Sequence, residues 1–148
     1  MERKEFCDKL YELRKGSGVK LKSICFAMDS SGNAIYRIET AAHNFSMSNV
    51  VPYLTAVNIQ MALTKGKELF VINEYENIVK WLKKSRKPDF TQRSLAERVG
   101  CYHVTIANTE SGKSVISIDL FLQLADVLGF FIELSPKKIN EQLHTNKK

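Results

Sequence analysis

Cysteine is scarce in this chain, and none of it is arranged for chemistry. The three cysteines, Cys7, Cys25 and Cys101, form no Cys-x-x-Cys pair. An odd count argues against a disulfide framework. Long apolar runs are missing as well. None approaches the roughly 18 residues of a membrane-spanning helix. The N-terminus, MERKEFCDKL, does not read as a signal peptide. The expectation is a protein of a reducing bacterial cytoplasm, with no membrane partner. No His-Glu-x-x-His, Gly-x-Ser-x-Gly or glycine-rich phosphate loop occurs. The three histidines, His43, His103 and His144, stand 60 and 41 residues apart. We therefore expect no enzyme, no catalytic residue, no metal and no cofactor. Charge of one sign is modest too, with 22 Lys+Arg against 16 Asp+Glu and a net charge of +6. Residues 1–74 contribute 10 and 8, and residues 75–148 contribute 12 and 8. This mild basic bias permits nucleic-acid binding without requiring it.

What is present is apolar residue in quantity and in order. The apolar share of 44% fits a globular chain rather than a disordered one. The most ordered stretch runs from Thr91 to Gly112, TQRSLAERVGCYHVTIANTESG. Leu95, Ala96 and Val99 fall at helical spacing, so one face of a short helix is apolar. Gly100 follows as a left-handed stop. Cys101 and Ile106 supply buried positions for a second helix, which ends near Glu110 with Gly112 behind it.

The same pattern lies 71 residues earlier, in KLKSICFAMDSSGNAIYRIETA from Lys20 to Ala41. Ser94 falls on Ser23, Leu95 on Ile24, Val99 on Met28, Ile106 on Ile35 and Glu110 on Glu39. The register holds further on: Ser117 falls on Ser46, Ile118 on Met47 and Leu128 on Val57. Even FFIELS (Phe130–Ser135) falls on IQMALT (Ile59–Thr64). An internal repeat of this length sets the architecture. It gives two units of about 60 residues, each marginal alone and therefore expected to share a core.

A short helix, a tight turn and a second helix with a polar outer face have the form of a helix-turn-helix. On these residues the chain resembles the lambda-repressor-like, Xre-type helix-turn-helix family, twice, over roughly 5–63 and 76–134. The resemblance implies a mostly α fold: tandem lambda-repressor-like domains with a small β element joining them as a pseudo-dimer. The expected divisions are 1–63, a first domain with its terminal strand; 64–75, a hairpin linker; 76–134, a second domain with its terminal strand; and 135–148, a polar tail.

The rest of the chain reads in order. Residues 5–14 form a first helix with Phe6, Leu10 and Leu13 on one face, ended by Gly16–Gly18. Ser46 caps a helix carrying Met47, Val50, Val51, Leu54 and Val57 inward, in which Pro52 is expected to start a turn or a kink. Ile59–Leu63 and Leu69–Ile72 flank Lys65-Gly66-Lys67 and read as a β-hairpin. Asn73 caps a helix reaching Arg86, with Ile78, Val79 and Leu82 inward and Trp81 partly so. Lys87-Pro88-Asp89 breaks it. Ser117–Leu128 is an amphipathic helix stopped by Gly129. Phe130–Leu134 is a strand ended by Pro136.

The resemblance also implies the site. In the family, the second helix enters the major groove, with a capping residue and base-reading side chains over its first turns. In the second repeat these are Tyr102 as cap and His103, Val104, Ala107 and Asn108 as readers, with Thr105 beside them. In the first repeat they are Ser31 as cap and Gly32, Asn33, Tyr36 and Arg37. Asn suits adenine, Arg suits guanine, and an apolar side chain suits the thymine methyl. Gln92 falls where the family aims a glutamine at phosphate; its counterpart is Leu21, and Lys20 or Lys22 substitutes. Arg93, Lys113, Lys87, Arg86, Lys84 and Lys83 are candidate backbone contacts. The resemblance further implies a structural pair, Arg14 with Glu39. Arg86 with Glu110 requires a loop one residue shorter before Thr91.

The expected function is sequence-specific binding of double-stranded DNA by a transcriptional regulator. One chain is expected to act as a monomeric pseudo-dimer in preference to a homodimer. Its IQMALT and FFIELS strands would pair antiparallel, with the Leu69–Ile72 run covering an edge. The alternative is a protein-interaction module on the same fold, an antitoxin or anti-repressor with a protein partner.

Overall fold

Apolar spacing and left-handed stops define the elements, and the elements repeat. In a computed structural model, which describes residues 1–137, α1 spans Arg3–Ser17, α2 Leu21–Met28, α3 Gly32–Thr40 and α4 Met47–Val57. A hairpin follows, β1 (Ile59–Lys65) and β2 (Glu68–Ile72). Then come α5 (Tyr75–Arg86), α6 (Gln92–Val99), α7 (His103–Ser111), α8 (Ile118–Leu128) and β3 (Phe131–Pro136). Among the described residues the fold is thus mostly helical, with eight helices, 61% helix and one three-stranded antiparallel sheet. Both ends of α6, α7 and α8 lie 71 residues after those of α2, α3 and α4.

The helix stops repeat with a chemical difference. Gly100, Gly112 and Gly129 hold φ of 84°, 82° and 84°. Their counterparts are Asp29, Ala41 and Asn58, at φ of 52°, 58° and 57°. Asp and Asn tolerate this region, but Ala has neither the freedom of Gly nor a side chain that bonds locally. The first unit therefore carries backbone strain that the second avoids.

Several boundaries depart from the sequence reading. α1 is longer than 5–14 because Ser17 Oγ bonds the Arg14 carbonyl and accepts from Val19 N–H. Gly16 therefore stays helical and Gly18 is the left-handed stop. α4 runs unbroken through Pro52. The proline removes one N–H bond near Ser48, which is exposed to water, while Val50, Val51, Tyr53, Leu54 and Val57 stay buried and hold the helix down. Asn73 does not cap α5. Instead Asn77 Oδ1 reaches back and accepts from the backbone N–H of Asn73 and Glu74, each at 2.9 Å. The last strand extends to Pro136, past the expected boundary at 134. Most of the expected tail, residues 138–148 with His144, lies outside the described residues.

The sheet order is β2-β1-β3, with both pairings antiparallel. The expected pairing of the two equivalent strands is present, and β2 covers one edge of β1. In the β1–β3 register Ala62 faces Glu133, and these two positions are themselves 71 apart. A second such pair is Ser46 and Ser117, joined as an isolated bridge. Met47 N–H donates to the Ile116 carbonyl at 2.9 Å, and Ile118 N–H donates to the Phe45 carbonyl at 2.8 Å. Each bond is the other's equivalent under the repeat. The backbone is therefore locally two-fold about two separate points.

One hydrophobic core runs through both units. Phe6, Leu10, Ile24, Ile35 and Val50 belong to the same buried cluster as Leu82, Leu95, Ile106, Phe121 and Leu124. Met61 and Leu63 on the inner sheet face are fully buried within it. Trp81, expected to be only partly inward, is fully buried. It packs edge-to-face against Phe121 and Phe130, each at 5.7 Å between ring centroids, a preferred aromatic arrangement.

Candidate nucleic-acid interface

The site is built on α3 and α7, and each is anchored by one glutamate near its C-terminal end. Glu39 receives two bonds from Arg14, at Nε and Nη2, the latter 2.9 Å long, and a third from the Tyr53 hydroxyl. Glu110 receives two from Arg86, with Nη2 at 3.0 Å, and a third from Gln92 Nε2 at 3.0 Å. Both ion pairs are largely out of water, with side-chain exposures of 17% and 8% in the first and 10% and 6% in the second. Burial alone would raise the Glu110 pKa, but the Arg86 and Gln92 hydrogen bonds outweigh it and hold the carboxyl low. Burial, then the bond to Glu39, pushes the Tyr53 hydroxyl up.

The second pair forms with the expected residue one position out of register. Arg14 would map to Ser85, yet Arg86 makes the bond. A turn after α5 absorbs the difference: Asp89 and Phe90 N–H both bond the Arg86 carbonyl, and Arg86 Nη1 bonds the Phe90 carbonyl at 3.0 Å. Arg86 is therefore buried and held, and does not project as a backbone contact. Gln92 is also placed differently from expectation. It is half-buried, and one of its amide hydrogens is donated to Glu110. In the first unit Leu21 cannot make that bond, and the Tyr53 hydroxyl from α4 supplies the third donor instead, to Glu39 Oε2 rather than to the oxygen equivalent to the one Gln92 bonds. Neither third donor has a short-range signal in the sequence.

The outer faces carry most of the sequence-predicted residues. Asn33, Tyr36 and Arg37 are exposed on α3, and His103 and Val104 are exposed at the start of α7. Thr105 and Asn108 are half-buried. Ser31 caps α3, its hydroxyl accepting from Ala34 N–H at 3.3 Å. Tyr102 stands at the equivalent cap of α7 without a side-chain bond and is strongly exposed. Arg93, Lys113, Lys83, Lys84, Lys87, Lys20 and Lys22 are all exposed. The only carboxylate on either α3 or α7 is the inward, arginine-paired glutamate. The faces these helices turn to water are thus free of fixed negative charge.

The two faces differ in polarity. Leu21, Phe26 and Tyr36 are exposed in the first unit. Their counterparts in the second are Gln92, Glu97 and Ala107. Comparison of the chain with protein-family models, curated proteins and solved structures returns no match. No described helix is long and apolar enough to cross a membrane.

Proposed function

We propose that the chain is two lambda-repressor-like helix-turn-helix units fused as a pseudo-dimer, binding double-stranded DNA sequence-specifically as a transcriptional regulator. The observation that carries this is the local two-fold at Ser46/Ser117 and Ala62/Glu133. Extended across the chain, that local two-fold would relate α3 to α7, the relation required of two recognition helices that enter successive major grooves. The absence of outward carboxylates on both helices supports a polyanionic partner. Because Asn33, Tyr36 and Arg37 differ from His103, Val104 and Asn108, the two half-sites differ and the operator is asymmetric.

Titration of labelled random duplex at low salt tests this class. Binding should be weak and fall steeply as salt rises, since phosphate contacts release counterions. Salt-independent binding, or none, contradicts it. On a selected operator, Arg37→Ala and Asn108→Ala should each relax discrimination at one half-site by about 1–3 kcal/mol. Uniform weakening across all sequences would show that both side chains touch only phosphate.

A second reading, a protein-interaction module, is favoured by one observation. The exposed Leu21, Phe26 and Tyr36 of the first unit suit a protein surface better than a phosphate backbone. Under that reading these three positions, rather than the lysines, carry affinity for the partner.

A further inference from the structure

The first unit contains a cleft behind its recognition helix. It lies among the end of α2, the flank of α3, the loop of residues 41–46 and the first turn of α4, with a volume of about 460 Å³. Met28, Ile38 and Phe45 make its apolar part, and Arg37, His43 and Asn49 contribute polar groups. With Ala34 and Ser30 the lining is four apolar and four polar residues, so the cleft can contact an apolar body and hydrogen-bond a polar group on the same small molecule.

Its charge selects the ligand class. No carboxylate lines this cleft. The cleft beside Met1 includes Glu2, Asp119 and Asp126, and the notch beside Tyr11 includes Glu39. Among the described residues Arg37 makes no ion pair. A guanidinium matches a carboxylate with two parallel hydrogen bonds.

The backbone points to the same place. The left-handed, strained Ala41 lies two residues before His43 of the cleft lining. The second unit has an unstrained glycine, Gly112, at the equivalent position. Strain held where a relaxed alternative exists is characteristic of ligand and switch sites. The second unit also lacks the charge, since Asn108, Ser114 and Leu120 stand for Arg37, His43 and Asn49. There Ile116 replaces Phe45 and is buried, its N–H held by the Tyr75 hydroxyl at 3.1 Å. The cleft wall is coupled to the other unit through Phe45, whose carbonyl accepts from Ile118 N–H, and Asn44, whose Oδ1 accepts from Asp119 N–H at 3.0 Å.

We infer that this cleft binds a small carboxylate with a flat apolar body. Arg37 and His43 hold the carboxylate, and Met28 and Phe45 contact the body. Occupancy engages Arg37 and shifts the 41–46 loop, which weakens DNA binding; this last step rests on the DNA-binding reading above.

Phenylacetate is a suitable probe, with phenylacetamide and acetate as controls, read by amide NMR on the full chain without DNA. Phenylacetate should give saturable shifts centred on residues 28–49. It should bind about tenfold tighter than phenylacetamide, because the amide forfeits the charge-assisted fork. Arg37→Gln, an exposed change that leaves the core intact, should lose about the same factor. Shifts that do not saturate, that centre elsewhere, or that are equal for acid and amide overturn the site. Phenylacetate should also weaken duplex binding by the parent and much less by His43→Gln. Binding of the probe with unchanged duplex affinity overturns the regulatory step. A protein that binds the probe but no duplex leaves the cleft standing and removes the DNA reading instead.

Discussion

Replacing Glu110 with alanine is expected to cost about 3–5 kcal/mol, because the Arg86 guanidinium is left buried without its counter-charge. Arg86 is only 9% exposed, so it cannot recover full hydration without leaving its place between α5 and α7. In a chain of 148 residues the loss corresponds to roughly 10 °C or more in melting temperature. The contrast is Asp8→Ala, which removes a pair with Lys4 whose side chains are 57% and 78% exposed. Such pairs contribute at most about 1 kcal/mol. The pH dependence follows from the same geometry. The folded Glu110 pKa lies below its ordinary 4.5. Its contribution is therefore complete above the unfolded pKa and is lost as pH falls through the folded value. Parent stability should decline on the acid side of about pH 4, and the Glu110→Ala variant should decline less there. A Glu110→Ala melting curve overlaying the parent would contradict the account of this pair.

Leu63→Ala is expected to destabilise the whole chain, by about 2–5 kcal/mol, since the side chain is fully buried and its removal leaves a cavity. Leu63 pairs with Phe70 on one side and Ile132 on the other, so it belongs to both units at once. The chain should melt in a single transition in parent and variant alike. Trp81 fluorescence reports the second unit, and hydrogen exchange of α2 and α3 amides reports the first. Both should shift together. A variant in which the second unit keeps the parent midpoint while the first unfolds would show separate cores.

The repeat was legible because it is written in core residues. Leu95, Ala96, Val99 and Ile106, with their counterparts Ile24, Cys25, Met28 and Ile35, sit where helix packing admits only apolar side chains. Strand pairing was legible for a similar reason: Ile59, Met61 and Leu63 alternate and are all buried. Less visible was anything decided by contact between distant elements. Gln92 reads as a phosphate contact until Glu110 is seen to need a third donor. Tyr53 carries no signal in the pattern of its helix, yet its hydroxyl completes the Glu39 site. Simple counting sets Ser85 rather than Arg86 opposite Arg14, because the turn through Asp89 and Phe90 absorbs one residue that no pattern marks. Trp81 reads as partly exposed on a helix rich in lysine, and its burial depends on Phe121 and Phe130, from 40 to 49 residues away. For the residues proposed to read bases, the sequence already places no acid among them on either helix, and the fold adds that Thr105 and Asn108 are half-buried while Asn33, Tyr36, Arg37, His103 and Val104 are exposed.

The central proposal is that one chain carries both recognition helices. Sedimentation of the complex with a minimal selected operator tests it most directly. One chain per duplex is the predicted stoichiometry, unchanged as protein is raised to a few-fold excess. Two chains on one minimal operator, each using a single motif, would contradict it.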